Sequence, residues 1–259
     1  MVYLTILALL QLGAIQISNS WRWDPKSPIC ALRQQLSAGG YIDIKRTPAN
    51  DETELTISLS SDAKASEGRL HDGSITLFPG DQFPGDMRVG PGREGKRELA
   101  VIVSDPSFFK QLSGATAVAV SHPKIVSPRV TITDAAAAAS ALRSCEDRLM
   151  GAWGIDVQAW RGLKSRPRSI GQVRDRFSAL DYPPAALAHH IETDAIMRLD
   201  VGVDGRVSRC KMLNPGKDVG FEGASCRVLK GAKFQPARAS SGASVPAPIV
   251  YDVVFRLAD

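Results

Sequence analysis

Short runs of alternating apolar and polar residues dominate the chain between positions 21 and 133. In Leu55–Leu59 the apolar side chains fall on one face, as in a half-buried strand. Similar runs, separated by Gly and Pro residues, occupy 75–78, 99–103, 117–120 and 130–132. The pattern predicts an antiparallel sheet or a small sandwich. The stretch 79–97 is rich in Gly and in charged residues and is expected to be a mobile loop.

A helix is predicted after these strands. Thr133 or Asp134 can cap it, and the alanine run 135–139 has high helix propensity. Four further residues recur at helical spacing and fall on one face: Ala138, Leu142, Cys145 and Leu149. Cys145 is therefore expected to point into the core. Residues 21–160 are predicted to form one β-rich module that ends in this helix.

A different order of elements fills residues 181–259. A short helix follows Tyr182-Pro183-Pro184, and an alternating strand ends at the Asp204-Gly205 turn, a strong hairpin signal. The remaining elements are a returning strand over 207–213, a helix over 221–232 and a final strand over 249–257. This order, helix-strand-strand-helix-strand, predicts an α+β domain with its helices on one face of the sheet. The whole chain is therefore predicted to be α+β.

The amino terminus predicts export. Residues 2–17 are apolar apart from three polar positions, which is short for a membrane span and suits the core of a signal peptide. The small residues 18–20 suit cleavage before Trp21. No basic residue precedes the apolar run, so an uncleaved anchor stays the alternative for 1–20.

Four cysteines in an exported chain indicate disulfide bonds, and four allow three connectivities. Cys210 and Cys226 lie 16 positions apart in the second module, whereas Cys30 and Cys145 belong to the first. Pairing Cys30 with Cys145 and Cys210 with Cys226 keeps each bond inside one folding unit, and we favour it. Four buried free thiols are the alternative, which would require a reducing compartment.

The charge of the chain is concentrated in one segment. Hydrophobic residues make up 44% and charged residues 23%, as in ordinary globular proteins, and the net charge is +5. Residues 161–180 hold six basic residues and one acidic residue, which accounts for that whole excess. The basic residues are Arg161, Lys164, Arg166, Arg168, Arg174 and Arg176. The segment is predicted to be a solvated linker, with phosphate or lipid-headgroup binding as the alternative; no nucleic-acid partner is expected.

Enzyme and metal-site patterns are weak throughout the sequence. It has no His-Glu-x-x-His and no Gly-x-Ser-x-Gly motif, and the adjacent His189 and His190 would point to different sides of a helix. Ser61–Lys64 and Ser121–Lys124 match Ser-x-x-Lys, but the motifs that accompany it in enzymes are missing. We therefore predict no catalytic residue, cofactor or metal. A hydrolase site in the first module is the remaining enzyme hypothesis.

Residues 181–259 resemble the carboxy-terminal domain of TonB, a periplasmic energy transducer. The matching segments are Tyr182-Pro183-Pro184, the hairpin 203–207 around Asp204 and Gly205, Phe234-Gln235-Pro236-Ala237, and the strand end 254–257. The resemblance covers about a third of the chain. Cys210 and Cys226 would make this a disulfide-bearing variant of the domain.

The resemblance implies that a sheet edge binds an extended peptide by strand addition. The implied edge consists of Ile249, Val250, Tyr251, Asp252, Val253, Val254 and Phe255. The expected partner is an outer-membrane receptor or another envelope protein, and the expected location is the periplasm, with an inner-membrane anchor if 1–20 is uncleaved. The alternative is an assembly protein that self-associates, as a homodimer, through the same strand. Unlike TonB, the sequence has no Pro-rich spacer, so energy transduction does not follow from the resemblance.

Overall fold

The computed structural model describes residues 20–24, 27–37, 39–59, 68–91, 97–123, 125–216 and 219–257. The predicted signal peptide or anchor, 1–20, lies outside the described residues except for Ser20. Among the described helices, none is long and apolar enough to cross a membrane. The predicted α+β class is confirmed, with a β-rich amino-terminal module followed by a small mixed one.

The amino-terminal module is built on one antiparallel sheet. Its strands are β1 (Trp21–Trp23), β2 (Cys30–Gln35), β3 (Tyr41–Arg46), β4 (Thr53–Leu59), β5 (Gly68–Phe78), β6 (Gln82–Pro91), β7 (Arg97–Val103), β8 (Ala117–His122), β9 (Ile125–Val126) and β10 (Val130–Thr131). Their order across the sheet is β1-β2-β3-β4-β7-β6-β5-β8-β10, and β9 pairs with β8. In the central strands Ile44 pairs with Leu55, which pairs with Val101, and all three are fully buried.

Two helices cover the apolar face of this sheet. They are α1 (Pro106–Leu112) and α2 (Ala135–Ala152). Asp105 caps α1 by accepting a hydrogen bond from the Ser107 amide, and Phe108 inserts into the core without solvent exposure. The predicted long helix is α2, and Cys145 on its inner face forms a disulfide with Cys30.

A buried ion pair joins α2 to the sheet. Arg46 on β3 contacts Glu146 at 3.0 Å, and each side chain is only 7% exposed. The same guanidinium donates to Thr53 Oγ1 at 2.7 Å and lies 4.2 Å from the Phe109 ring centre. Burial raises the pKa of Glu146, and the charge and hydrogen bond of Arg46 offset part of that rise.

The carboxy-terminal module has the predicted order of elements. It contains α4 (Pro184–Ala188), β12 (Thr193–Val201), β13 (Val207–Met212), α5 (Phe221–Leu229) and β17 (Ala247–Phe255). The strands form an antiparallel sheet in the order β13-β12-β17, and a second disulfide joins Cys210 to Cys226. Both favoured cysteine pairings are thus confirmed. Four short strands form two further antiparallel pairs. In the first, β11 (Arg168–Ser169) pairs with β14 (Phe234–Gln235), and in the second, β15 (Ala237–Arg238) pairs with β16 (Ser244–Val245).

Part of the expected mobile loop at 79–97 is a strand instead. Residues 82–91 form β6, which pairs with β5 on one side and β7 on the other. Phe83, Met87 and Val89 carry its buried face, while charged residues occupy positions between them. The many Gly and charged residues obscured the alternation of apolar and polar positions in this segment. Such a segment forms a strand here because it pairs with a neighbouring strand on each side. The same lack of a strong local signal left β2, β3 and α1 unpredicted.

The expected solvated linker at 161–180 is instead packed against both modules. Val173 is buried, and β11 pairs with β14 of the carboxy-terminal module. Arg166 contacts Asp51 at 2.5 Å and lies 4.1 Å from the Trp160 ring centre, and Arg174 forms an ion pair with Asp86. These two carboxylates come from distant positions in the sequence, so composition alone could not reveal that they pair with Arg166 and Arg174.

An apolar interface joins the two modules. The helix α3 (Val157–Arg161) places Trp160 between them. Buried residues from both modules pack together there: Ile29, Ala49, Met150, Ile155, Trp160, Ile196 and Val250. The first module thus covers part of one face of the small sheet, and the other face packs against α5 in a separate cluster around Phe221. The prediction placed helices on one face of the sheet and named no cover for the other face.

We expect removal of the second disulfide to destabilise the carboxy-terminal module. The double change Cys210→Ser and Cys226→Ser opens a 16-residue separation, and loss of such a cross-link costs about 2–4 kcal/mol. Urea unfolding followed by circular dichroism measures the change. Lys211→Ser, an exposed change on the same strand, is the control. A free energy of unfolding equal to that of the parent protein would contradict the prediction.

We also expect the loss of the buried Arg46–Glu146 ion pair to destabilise the protein far more than the loss of the neighbouring Asp147–Arg161 pair. Glu146→Ala leaves the Arg46 charge buried without its partner, which typically costs about 3–5 kcal/mol. Asp147→Ala removes the next residue of the same helix, whose pair with Arg161 is largely solvent-exposed, and should cost about 0–1 kcal/mol. Urea unfolding of the two variants tests the contrast. Similar losses in both would show that burial does not decide the cost.

Candidate partner-binding edge

The final strand, β17, is an edge strand of the small sheet. It pairs with β12 from Ala247 to Phe255, and no other described strand pairs with it. On β12, the backbone groups of Ile196 and of the other even-numbered residues point towards β13, so those of the odd-numbered residues point towards β17. The odd-numbered residues of β17 pair with these residues and form the hydrogen bonds to β12. Even-numbered residues of β17 therefore direct their N–H and C=O groups away from the sheet. The residues predicted as a recognition edge do lie on an edge.

One half of that edge is closed by the amino-terminal module. The Val250 amide donates to the Ala49 carbonyl at 3.3 Å, and the Val250 carbonyl accepts from Asn50 Nδ2 at 2.9 Å. The Pro248 carbonyl accepts from Trp160 Nε1 at 3.2 Å. A partner strand cannot use the outward groups of Pro248 and Val250 without displacing these bonds.

The other half of the edge opens into a groove. Among the described residues, none hydrogen-bonds the outward backbone groups of Asp252 or Val254, and Val254 is 49% exposed. The groove has a volume of about 700 Å³ and runs between the sheet of the first module, the segment 173–182 and the end of β17. That volume is within the range of pockets that hold ligands.

Charged side chains line the wall of the groove that belongs to the first module. Lys45 Nζ contacts Asp252 Oδ2 at 2.7 Å and so ties β3 to β17. Arg88 pairs with Glu54 at 3.0 Å, and Glu52 lies near Arg174. The opposite side is more apolar and comprises Phe177, Tyr182, Tyr251, Val253 and Phe255.

Burial shapes the titration of the groove. It raises the pKa of Tyr251 and of the Asp252 carboxyl, and the Lys45 ammonium offsets part of the rise at Asp252. Burial also raises the pKa of Glu52, which Arg174 partly offsets. For Lys45, burial lowers the pKa, but Asp252 and Glu54 outweigh it and the pKa is raised overall. Near neutral pH the tyrosine is therefore uncharged and Lys45 is a cation.

The remaining motif residues build the sheet beneath this edge. The Tyr182 hydroxyl donates to the Ile191 carbonyl at 2.7 Å, and its ring packs edge-on against Phe255. Pro183 packs near Gly220, and Pro236 follows β14. These positions place α4 over the end of β17.

The hairpin turn is fixed by a close backbone approach. The Arg206 amide donates to Asp204 Oδ1 at 3.0 Å, and the Phe234 amide donates to the Gly205 carbonyl at 2.9 Å. Gly205 has φ +74°, and a Cβ there would lie 2.0 Å from the Phe234 carbonyl oxygen. Only glycine fits, since a side chain would collide with the backbone of β14.

The weaker candidate motifs do not form a site in the described residues. His189 ends α4 and His190 follows it on the surface, and no group of described residues could hold a metal ion. Ser61–Lys64 lies outside the described residues, as does Lys124 of the second Ser-x-x-Lys match. Sequence reasoning missed Lys45, Glu52 and Glu54 in the groove, because no local pattern marks them, and it placed Arg174 only in the basic segment.

Comparison with known proteins identifies the family of the second module. Residues 178–257 match the family model described as Gram-negative bacterial TonB protein C-terminal. Residues 178–257 form a TonB C-terminal domain. The TonB C-terminal domain is a non-enzymatic energy-transducer domain, and it marks the chain as a TonB-like envelope protein.

The chain is also related to Internal protein I of Enterobacteria phage T4. The two are 32% identical over 80 residues, which is 31% of this chain and 83% of the phage protein. The TonB C-terminal domain and the phage match each account for about a third of the chain.

We expect the two halves of the β17 edge to differ in amide hydrogen exchange. The Val250 amide is bonded to the Ala49 carbonyl and should exchange slowly, whereas the Val254 amide faces the groove and should exchange about tenfold or more faster. Exchange measured by NMR on the whole chain tests this. The Val253 amide, which faces β12, is the internal control. Equally slow exchange at 250 and 254 would mean that the groove is closed in solution.

Proposed function

We propose that this protein binds an extended segment of an outer-membrane receptor or other envelope protein as a fourth strand beside β17. The supporting observation is the opening of the outward backbone groups of Asp252 and Val254 onto the groove between the modules. Strand addition takes its affinity from main-chain bonds and its selectivity from flanking side chains, and this edge offers both.

The proposed recognition site is shorter than the strand that carries it. Asp252 and Val254 offer two N–H and two C=O groups, whereas those at Val250 are already bonded within the chain. At about 3.3 Å per residue, four to five residues of a partner would cover this half of the edge. The partner segment enters from the carboxyl end of β17 and stops where Asn50 closes the edge.

We place the protein in the periplasm and in TonB-dependent transport as part of the same proposal. The export prediction and the TonB C-terminal domain support that placement. The alternative, self-association through the same strand, remains open to the same measurements, because a homodimer would also bury the Val254 amide. It would do so without added peptide and in proportion to protein concentration.

We expect Val254→Pro to weaken partner binding at least about fivefold, because it removes one outward donor and adds a ring at the edge. The amide of residue 254 makes no bond to β12, so the sheet should persist. Val254→Thr keeps the donor and is the matched control. The measurement is an NMR titration of the whole chain with TonB-box-type receptor peptides.

The outcomes of this titration separate the two functions. Shifts concentrated at 252–255 that are lost in Val254→Pro and kept in Val254→Thr support strand addition. Unchanged binding by a folded Val254→Pro variant would remove this edge from consideration. Concentration-dependent shifts without peptide would favour self-association.

A further inference from the structure

One carboxylate oxygen at the open half of β17 is buried without a hydrogen-bond donor. Asp252 Oδ2 accepts from Lys45 Nζ at 2.7 Å, but no described residue donates to Asp252 Oδ1. The Asp252 side chain is only 10% exposed. A buried oxygen of a charged group carries a desolvation cost that a donor would offset. A partner segment bound in the groove can supply such a donor.

The charge around this oxygen favours a cation over a neutral donor. Lys45 faces three carboxylates, because Glu54 and Asp194 act on it together with Asp252. The described groove and its ion partners hold six carboxylates, on Glu52, Glu54, Asp86, Glu192, Asp194 and Asp252. They hold four cations, on Lys45, Arg88, Arg174 and Arg256. With six carboxylates and four cations, the groove together with its ion partners is two positive charges short of balance.

The geometry of strand pairing directs one partner side chain to this oxygen. Directly opposite residues on neighbouring strands have Cβ atoms about 4.5–5.5 Å apart and share a face of the sheet. Asp252 lies on the face of β17 that meets the first module, together with Val250. The partner residue opposite Asp252 would therefore project into the space between β17 and the charged wall.

We propose that the partner segment carries a lysine or arginine opposite Asp252, and that its N–H group donates to Asp252 Oδ1. This proposal rests on strand addition at β17. It assigns Asp252 as the residue that selects the partner, with Glu52 and Glu54 supplying the surrounding negative charge. The first module thus contributes to recognition by a domain that would otherwise bind through backbone contacts.

A peptide series tests the proposal on the whole chain. The probes are acetylated and amidated heptapeptides Thr-Val-Thr-X-Thr-Val-Thr, with lysine, norleucine or glutamate at X. The alternating host can slide by two residues, so that X can reach the position opposite Asp252. We expect the lysine peptide to bind about tenfold more tightly than the norleucine peptide, as a charged hydrogen bond allows. The glutamate peptide should bind most weakly.

Variants of the chain distinguish a specific bond to Asp252 from a general attraction between the peptide and the negative charge of the protein. Asp252→Asn should reduce the lysine preference to less than about twofold. Asp200→Asn removes a carboxylate of the neighbouring strand that lies outside the groove, and it should leave the preference unchanged. Because Asp252→Asn also leaves Lys45 without its partner, the double change with Lys45→Gln is measured alongside and should show the same loss of preference.

The failure of this proposal differs from the failure of strand addition. Equal binding of all three peptides, with shifts at 252–255, would overturn the proposed basic residue and leave strand addition standing. A lysine preference that persists in both Asp252 variants would also overturn it. Absence of binding by every peptide and by the receptor peptides at millimolar concentration would overturn both.

Discussion

Hydrogen bonding and packing around Val250 hold the two modules in one arrangement. Its side chain is fully buried among Ile29, Trp160 and Ile196, and its two backbone groups are bonded to residues 49 and 50. An apolar contact alone would allow sliding, but a paired amide and carbonyl fix the register of β17 against the first module. The groove, its charged wall and the length of the free edge all follow from that register.

The same contact changes what a TonB C-terminal domain offers to a partner. One face of the small sheet packs on α5, and the first module covers part of the opposite face around Ile196 and Val250. Along the β17 edge, the carboxyl-terminal half stays accessible, and side chains from both modules line it. The proposed recognition site is therefore a surface built by both modules and not by the domain alone.

Local sequence patterns correctly predicted the elements that are determined by residues close to one another in the sequence. The Asp204-Gly205 hairpin, the helical face that carries Cys145 and the alternation in the final strand all depend on short-range periodicity. The pairing of Cys210 with Cys226 could be favoured because the two lie within one short module.

The contacts that create the candidate site were beyond such reasoning. Asn50 and Val250 are 200 positions apart, and Lys45 and Asp252 are 207 apart. A lysine in a strand is normally assigned to solvent, and nothing near Lys45 in the sequence indicates that a second domain covers it. The basic segment 161–180 was misinterpreted for the same reason, since the partners of Arg166 and Arg174 lie more than 80 positions away.

The position of β17 also determines how the molecule would bear a mechanical load. A partner aligned with this strand and pulled along its axis would strain the nine-residue β12–β17 ladder in shear, so that many bonds share the force. Through Val250 and Lys45 the same strand is fastened directly to the first module. Tension applied at the edge would thus pass into the large sheet across the interface, without stretching the chain segment that connects the two modules.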